Sequence, residues 1–306
     1  MKVAITGATG FVGRRLVQAL TQDNHSVVVL TRNGDRARRL FPAGLFPQCD
    51  IVTYTPTVSG SWQQAIDGCD GVVNLAGAPI AESRWTPARK REILESREVG
   101  TEKIVEAIAQ ASAPPKVLVN SSAIGYYGTS ETATFDEASP AGNDFLADVC
   151  KKWEAAANQV NSSTRLVIVR TGIVLGQGGG ALDKLLTPFR IFAGGPLGSG
   201  RQWFSWIHLD DLVALIMQAL TDGQFKGIYN ATAPQPLRMA EFCNVLGQVM
   251  GRPSWLPVPD FALEALLGDA AAVVLEGQEV QPKRTLGSGF SYQYANAKDA
   301  LAQLLK

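Results

Sequence analysis

The stretch Thr6-Gly7-Ala8-Thr9-Gly10-Phe11-Val12-Gly13 follows a short apolar run and precedes a segment in which apolar residues recur at helical spacing. In such a strand–turn–helix setting, Gly7 permits a tight turn, Gly10 lets the backbone approach a pyrophosphate, and Gly13 allows close packing of helix on strand. The first turn of the helix offers unpaired N–H groups and a partial positive charge to phosphates. The stretch therefore predicts a dinucleotide-binding turn, with a purely structural turn as the alternative.

Strand-length apolar runs alternate with helical patterns through the first half of the chain. The runs are rich in β-branched residues and almost unbroken, which is typical of strands buried on both faces. They lie at Val3–Thr6, Val27–Leu30, Ile51–Tyr54, Val72–Leu75, Val117–Asn120 and Leu166–Val169. This alternation predicts an α/β fold, a Rossmann-type doubly wound parallel sheet with helices on both faces.

The pattern changes after Gly172, where glycine-rich loops and later prolines interrupt it. We expect an NAD(P)-binding Rossmann domain over residues 1–175, joined by roughly 205–232. The remaining residues, 176–204 and 233–306, are expected to form a smaller C-terminal lobe that binds the substrate.

The composition limits the class of protein. The 306 residues include 28 Lys+Arg and 28 Asp+Glu, and 46% are hydrophobic, which is enough to fill a sizeable core. A formal net charge of zero argues against a nucleic-acid partner, which demands an excess of basic residues. No apolar run reaches about 18 residues and no signal-peptide pattern opens the chain, so we predict a soluble, cytoplasmic protein without a membrane partner. The four scattered cysteines and two histidines show no ligand spacing, so we expect free thiols and no metal site.

The residues after the second apolar run discriminate between the two nicotinamide cofactors. Folds that bind NAD tend to place an acid there, which accepts hydrogen bonds from the adenosine ribose. This chain instead reads Leu30-Thr31-Arg32-Asn33. Arg32 can pair with a 2′-phosphate through charge-assisted hydrogen bonds, and Thr31 or Asn33 can add neutral ones. NADP (NADPH) is therefore favoured over NAD, and the alternative is that Arg32 is one solvated member of a basic stretch.

Several segments resemble the extended short-chain dehydrogenase/reductase superfamily, of the NAD(P)-dependent epimerase/dehydratase type. They are the glycine stretch 6–13, Asn74–Gly77, Ser121–Gly128, Arg170–Gly176 and Trp206–Leu212. The run 194–200 and the tail around 275–290 resemble a branch described as "epimerase family protein" or cell-division-inhibitor-like, which has its own C-terminal module. The motifs and the resemblance together imply cofactor contacts from Gly7, Thr9, Gly10, Phe11, Val12, Gly13, Thr31, Arg32, Leu75, Ala76, Gly77, Glu92, Arg97, Ser121 and Val174.

The superfamily usually carries a Tyr-x-x-x-Lys pair, in which the tyrosine is the general acid/base and the lysine lowers the tyrosine's pKa. In this sequence the tyrosine position falls on Leu146 and the lysine position on Cys150, and a shift by one residue does not restore the pair. Tyr126 or Tyr127 can substitute as the acid/base, and Ser121 or Ser122 can polarise a carbonyl; of these we assign the chemistry to Ser122 and Tyr127. The alternative is that one tyrosine packs in the core while the other lines a binding pocket.

A second departure concerns Arg97, which stands where the superfamily usually has an asparagine that supports the active-site helix. On a helix that begins near Pro87, Arg97 can reach a cofactor phosphate or ribose, and Glu92 lies about one and a half turns earlier. A structural ion pair is the alternative for both residues.

Two functions are consistent with these features. The first is an NADP-binding epimerase or oxidoreductase of the extended type that acts on a small molecule, such as a sugar nucleotide or another carbonyl compound. The second is a catalytically silent NADP-dependent sensor or scaffold, which the missing tyrosine–lysine pair favours. Neither the substrate nor the oligomeric state follows from the sequence.

Overall fold

The structure is a computed structural model that describes residues 1–306. Its strands are β1 (Lys2–Thr6), β2 (Ser26–Thr31), β3 (Cys49–Thr53), β4 (Gly71–Asn74), β5 (Val117–Ala123), β6 (Thr134–Phe135), β7 (Arg165–Thr171), β8 (Ile173–Leu175), β9 (Trp203–Phe204), β10 (Trp206–His208), β11 (Gly227–Ala231), β12 (Leu237–Arg238) and β13 (Glu279–Val280). Its α-helices are α1 (Phe11–Gln22), α2 (Gly34–Leu40), α3 (Pro87–Glu95), α4 (Glu98–Gln110), α5 (Phe145–Ala157), α6 (Gly180–Arg190), α7 (Leu209–Thr221), α8 (Met239–Met250), α9 (Asp260–Leu267), α10 (Ala272–Leu275), α11 (Lys283–Gly287) and α12 (Ala297–Leu304). Three 3-10 helices cover Ser61–Ile66, Ile124–Tyr127 and Gly268–Ala271.

Seven strands form the central sheet, in the order β11-β7-β5-β4-β1-β2-β3. Every neighbouring pair is parallel, and Thr6 at the end of β1 lies between Asn74 of β4 and Leu30 of β2. The strand order reverses between β1 and β4, and a crevice outside the carboxyl ends of the strands at such a point is where doubly wound sheets bind ligands. The predicted Rossmann-type fold is therefore confirmed.

Helices cover both faces of this sheet with apolar side chains. On one face, Leu16 of α1 and Ile216 of α7 belong to a buried cluster that includes Val29 of β2. On the other face, Ile104 of α4 packs in a cluster with Val72 of β4. Because both faces are covered, the strands are apolar on both sides, which explains the unbroken runs in the sequence.

A separate buried cluster holds the C-terminal elements together. It joins residues of α6, α8 and α12, and Trp206 and Phe189 are fully buried within it. The predicted division into two lobes stays a prediction, although the two sets of side chains do pack into different clusters. No helix in the structure combines the length and the apolar character that crossing a bilayer requires.

Candidate cofactor and substrate site

The glycine turn between β1 and α1 lies at the point where the strand order reverses. Gly7 has a φ of +69°, and a Cβ at this position would lie 2.9 Å from the carbonyl carbon of Leu75. A Cβ on Gly13 would lie 2.3 Å from the Gly7 carbonyl oxygen and 2.6 Å from the Cα of Ala8. Larger residues are excluded at both positions, so the turn stays thin enough for a pyrophosphate to approach it.

No acidic or capping side chain of the protein occupies the first turn of α1. Gly10 is the N-cap and has no side chain to cap the helix, and the first turn contains no acidic residue. The leading N–H groups of α1 therefore remain available to a ligand, and the helix dipole favours an anion there. A cavity of about 220 Å³ lies against this turn, and its lining includes Gly7, Gly10, Phe11, Val12, Gly13, Leu75, Ser121 and Thr171. Thr9 is half-buried in the same turn.

The glycine-rich loop after β8 packs on the ring of Phe11. A Cβ on Gly179 or on Gly180 would lie 3.0 Å from this ring, and one on Gly180 would lie 3.2 Å from the Val174 carbonyl oxygen. The structure thus places Phe11 and Val174, both predicted cofactor contacts, close to the same glycine of this loop.

The carboxyl end of β2 presents a cation without a partner. Thr31 is buried, and its hydroxyl accepts a hydrogen bond from the Asn33 backbone N–H at 3.2 Å, whereas Arg32 is exposed and forms no ion pair. The nearby acid in the first turn of α2, Asp35, is paired with Arg38 at 2.9 Å. Arg32 is therefore the side chain at this strand end that is free to meet an anion.

The Leu75-Ala76-Gly77 loop is held in place by a buried polar network. The backbone N–H groups of Leu75 and Ala76 each donate to the Thr6 hydroxyl at 3.1 Å, and that hydroxyl donates to Asn74 Oδ1 at 2.7 Å. The Asn74 amide donates to Thr101 Oγ1 at 2.8 Å and to Asn120 Oδ1 at 2.7 Å. This network fixes the edge of the crevice on the β4 side.

Arg97 lies directly beside this loop. A Cβ on Gly77 would lie 2.8 Å from the Arg97 Cζ, and Arg97 donates hydrogen bonds to the carbonyl oxygens of Ala78 and Ile93, both at 3.0 Å. Its guanidinium lies 5.2 Å from the centre of the Trp153 ring, and no carboxylate pairs with it. Burial lowers the pKa of Arg97 to about 10, so the side chain stays protonated at neutral pH.

Glu92 has a different environment. Its carboxylate accepts a hydrogen bond from Arg89 at 2.6 Å, and its side chain is 54% exposed. The two residues are three apart on α3, the spacing of a surface helix pair. The structure thus shows the ion pair that was the alternative for Glu92 and shows no such pair for Arg97.

Ser122 and Tyr127 belong to one buried hydrogen-bond network. Ser122 Oγ donates a hydrogen bond to the Glu154 carboxylate at 2.6 Å. Arg170 donates two hydrogen bonds of 2.8 Å to the same carboxylate. Arg170 also donates to the Tyr127 hydroxyl at 3.0 Å, and that hydroxyl donates to Asn230 Oδ1 at 2.7 Å. Every polar group of these two side chains therefore already has a protein partner.

The burial of this network argues for a structural role. Ser122 is 2% exposed and Tyr127 is 3% exposed, and neither lines the two cavities described in this section. Burial raises the pKa of Tyr127 to about 12, despite the opposing effect of Arg170. A general acid/base works best with a pKa near the operating pH. The catalytic assignment of Ser122 and Tyr127 stays a prediction that this geometry does not favour.

The positions of the missing pair are occupied by unreactive groups. Leu146 packs within 3.4 Å of a Cβ placed on Gly125. Cys150 is buried, its thiol lies 3.7 Å from the Ala123 carbonyl oxygen, and burial raises its pKa to about 11. Neither side chain can exchange a proton with a substrate at neutral pH.

A larger cavity of about 840 Å³ lies beyond the glycine loop. It extends from Ile173 of β8 and Gly180 of α6 to α9 and α10. Pockets of 300–1,000 Å³ are typical of small-molecule sites. This cavity is therefore the candidate substrate site.

Sequence reasoning missed several residues that build the site. Glu154 and Arg170 were not singled out, although an arginine that continues the apolar run Leu166–Val169 signals a buried ion pair. Asn74 and Asn120 end or interrupt core strands, and such buried amides must find partners. No local signal marks their partners, which come from other strands and helices.

Comparison with known proteins agrees with this architecture. Residues 3–232 match the model of the "NAD dependent epimerase/dehydratase family", and residues 258–304 match a "domain of unknown function" (DUF1731). The chain is 53% identical over 308 residues to the "epimerase family protein SDR39U1 homolog, chloroplastic" of Arabidopsis thaliana, covering 100% of this chain and 87% of the relative.

Two solved structures are similar over the whole chain. One is human epimerase family protein SDR39U1 (isoform 2) with NADPH, with a TM-score of 0.89 and 38% identity over 99% of both chains. The other is a nucleoside-diphosphate sugar epimerase from Corynebacterium glutamicum, with a TM-score of 0.79 and 30% identity over 100% of this chain and 58% of that one. The predicted resemblance to the extended short-chain dehydrogenase/reductase superfamily is confirmed, and the chain belongs to the NAD dependent epimerase/dehydratase family.

Proposed function

We propose that the chain is an NADP(H)-binding oxidoreductase or epimerase of the extended short-chain type that acts on a small molecule. The preference for NADP(H) over NAD(H) rests on Arg32, an exposed arginine without an acidic partner at the end of β2. A relative with 38% identity over 99% of both chains was crystallised with NADPH, which agrees with this choice.

The residues present fit the cofactor. Gly7 and Gly13 keep the turn at α1 free of Cβ atoms, and the first turn of α1 offers N–H groups to the pyrophosphate. Arg32 and Thr31 would hold the 2′-phosphate, and the Leu75-Ala76-Gly77 loop would border the adenosine side. When bound, the nicotinamide supplies or accepts a hydride.

The Arg32 assignment is tested by binding titrations with NADPH and NADH. A hydrogen bond to a charged group contributes about 1.5–3 kcal/mol, so Arg32→Ala is expected to weaken NADPH binding about 10- to 150-fold. NADH, which lacks the 2′-phosphate, should bind the variant as it binds the parent protein. Arg39→Ala, which removes an exposed arginine of α2, is the matched control and should leave both affinities unchanged. Tighter binding of NADH than NADPH by the parent protein would contradict the assignment.

Arg97 takes over the cationic role of the missing lysine in this proposal. Its guanidinium stacks on Trp153 of α5, one turn after Cys150, which occupies the lysine position. It is protonated at neutral pH, lacks a carboxylate partner and touches Gly77 of the cofactor loop. Arg97→Met keeps much of the apolar stem and removes the charge, so it should weaken binding of NADPH and NADH equally. Unchanged affinity for both cofactors would assign Arg97 to packing alone.

A catalytically silent NADP-dependent sensor is the second candidate. The observation that favours it is the buried, fully partnered state of Ser122 and Tyr127, together with Leu146 and Cys150 at the acid/base positions. NADPH oxidation measured with a panel of carbonyl compounds separates the two functions. Turnover with any of them supports the enzyme, whereas tight NADPH binding without turnover supports the sensor.

We also propose that the chain works in a reducing, aqueous compartment such as the cytoplasm. All four cysteines are free thiols, and three of them are buried. Cellular fractionation with an antibody against the chain tests this placement, and recovery with a membrane fraction or an oxidising compartment would contradict it.

A further inference from the structure

One wall of the larger cavity is a stripe of residues along α6. The residues that line it recur at the spacing that places side chains on one face of a helix, and they are Gly180, Ala181, Lys184 and Leu185. Leu182 and Leu186, which point away from this stripe, are buried in the C-terminal cluster. The stripe therefore faces the cavity, and Lys184 is its one charged member.

Lys184 is the one cation in the cavity wall, and it is free to pair. Its side chain is exposed, and its ammonium group forms no ion pair and no hydrogen bond with another residue. The two acids of the lining lie on other walls, Glu82 on the loop before α3 and Glu276 just after α10. Glu276 already accepts a hydrogen bond from Thr129 at 2.8 Å. An anion on a ligand would give Lys184 a charge-assisted partner.

Two arginines beside the cavity add to the positive charge around it. Arg84 donates to backbone carbonyl oxygens at the end of α9, and Arg238 donates to two other backbone carbonyl oxygens. The Arg238 guanidinium lies 3.8 Å from the centre of the Trp203 ring, which lines the cavity. Neither arginine pairs with a carboxylate, so both favour an anion in the cavity through their charge. Lys184 is the cation that can contact it.

Lys184 lies one helical turn from the cofactor turn. A Cβ placed on Gly180, at the start of the same stripe, would lie 3.0 Å from the Phe11 ring and 3.2 Å from the Val174 carbonyl oxygen. Four residues of an α-helix advance about 6 Å along its axis. A ligand whose anionic group meets Lys184 therefore lies within a few ångströms of the end of the cavity at which the cofactor is expected.

The remaining walls are mainly apolar and come from separate elements, for example Phe204 of β9, Met239 of α8 and Leu263 of α9. Such walls favour a ligand that buries apolar surface. We propose that this cavity binds a small molecule with an apolar body and one anionic group, a carboxylate or a phosphate monoester, and that Lys184 binds the anionic group. This rests on the proposed function, because it takes the cavity as the substrate site of an NADP(H)-binding protein.

The test is calorimetric titration of NADPH-saturated protein, so that the sites for the cofactor's own phosphates are filled before the probe is added. The probes are 2-naphthoate and 2-naphthamide, which share the same ring and nearly the same shape and differ in charge. We expect 2-naphthoate to bind about fivefold more tightly than 2-naphthamide, the ratio expected of an ion pair at an exposed lysine. Equal binding of the two probes, tighter binding of the amide, or binding of neither overturns the proposal.

Three substitutions on α6 test whether Lys184 causes this preference. Lys184→Gln should bring the affinities of the two probes within about twofold of each other, whereas Lys184→Arg should keep the preference because it keeps the charge. Arg190→Gln is the matched control, since it removes another exposed cation of α6 that does not line the cavity, and it should also keep the preference. A preference that survives Lys184→Gln, or one that Arg190→Gln removes as fully, overturns the proposal.

Two further titrations complete the test. Tighter binding of 2-naphthyl phosphate than of 2-naphthoate by the parent protein identifies the anionic group as a phosphate monoester, and weaker binding identifies it as a carboxylate; both results support an anion at Lys184 if Lys184→Gln weakens the tighter probe. A prior NADPH titration of each protein distinguishes failure of this proposal from failure of the proposed function, since loss of the cofactor site would appear in that step.

Discussion

Replacement of Glu154 by glutamine tests whether the Ser122–Tyr127 network supports the fold or the chemistry. The carboxylate of Glu154 accepts one hydrogen bond of 2.6 Å from Ser122 and two of 2.8 Å from Arg170. The side chains of Arg170 and Glu154 are 2% and 8% exposed. Glu154→Gln therefore leaves a buried guanidinium without an anion and turns one acceptor into a donor that faces other donors.

The expected loss follows from this burial. Breaking a buried ion pair by removing one partner costs about 3–5 kcal/mol, because the remaining charge stays out of water. The matched control is Asp148→Asn on the same helix, which breaks an exposed pair with Lys151 of 2.6 Å whose side chains are 42% and 58% exposed. Exposed pairs contribute about 0–1 kcal/mol. The two substitutions thus remove the same kind of charge from α5 and differ in burial.

Urea unfolding followed by tryptophan fluorescence measures both losses as changes in the free energy of unfolding. The network is structural if Glu154→Gln loses about 3 kcal/mol or more, Asp148→Asn loses less than about 1 kcal/mol, and the affinity for NADPH stays within about twofold in both folded variants. A loss below about 1 kcal/mol for Glu154→Gln refutes the reasoning from burial. Tyr127→Phe provides the functional side of the test, since turnover that disappears in a stable Tyr127→Phe protein would restore the tyrosine to the chemistry.

Three further perturbations test other parts of the structure. Gly13→Ala puts a Cβ 2.3 Å from the Gly7 carbonyl oxygen, so we expect NADPH binding to be lost and the free energy of unfolding to fall by about 1–3 kcal/mol, whereas Gly44→Ala, with no neighbour within 4 Å, changes neither. Burial lowers the pKa of His208 despite the nearby carboxylates of Asp210 and Asp211, so the unfolded chain binds the extra proton more readily and the melting temperature should fall as pH drops below about 6.5. That fall should be smaller in His208→Asn, which keeps an acceptor for the cap of α7, and unchanged in His25→Gln; an identical fall in all three proteins would contradict this origin. Arg84→Met removes the hydrogen bonds to the end of α9, so protease cleavage near α9 should become faster, while cleavage at an equal rate in both proteins would show that Arg84 does not hold this helix.

The parts of the structure that the sequence predicts correctly are those with local causes. The turn 6–13 needs only neighbouring residues to define it, because the positive φ of Gly7 and the tight packing of Gly13 arise within one strand–helix connection. The strands of the sheet follow from apolar runs, which can be recognised without knowledge of the segments they pair with. For the same reason the missing tyrosine–lysine pair can be recognised in a single helix.

The parts that the sequence does not predict depend on contacts between distant segments. The hydrogen bond from Tyr127 to Asn230 joins residues 103 positions apart, and Ser122 meets Glu154 across 32 positions. The serine segment therefore looks like a catalytic segment in the sequence, although in the structure its polar atoms face inward to Glu154 and Arg170. The orientation of the buried Gln202 amide has no sequence signal, since it follows from bonds to Leu197 in a loop and to Val274 of α10.

Arg170 and Arg97 show why the count of charges in the sequence says little about which ligands the protein binds. Burial opposes the charge of Arg170, but Glu154 more than offsets this and raises the pKa of Arg170. Arg97 is half-buried without a carboxylate partner, and desolvation lowers its pKa to about 10. An arginine is thus paired with a carboxylate by the fold at position 170 and left without an anion at position 97, beside the Gly77 loop. A partly desolvated cation that the fold leaves without an anion gains most from an anionic or polar ligand. The balanced total of 28 basic and 28 acidic residues therefore excludes no phosphate-bearing cofactor, because Arg32 and Arg97 have no carboxylate partner in the fold.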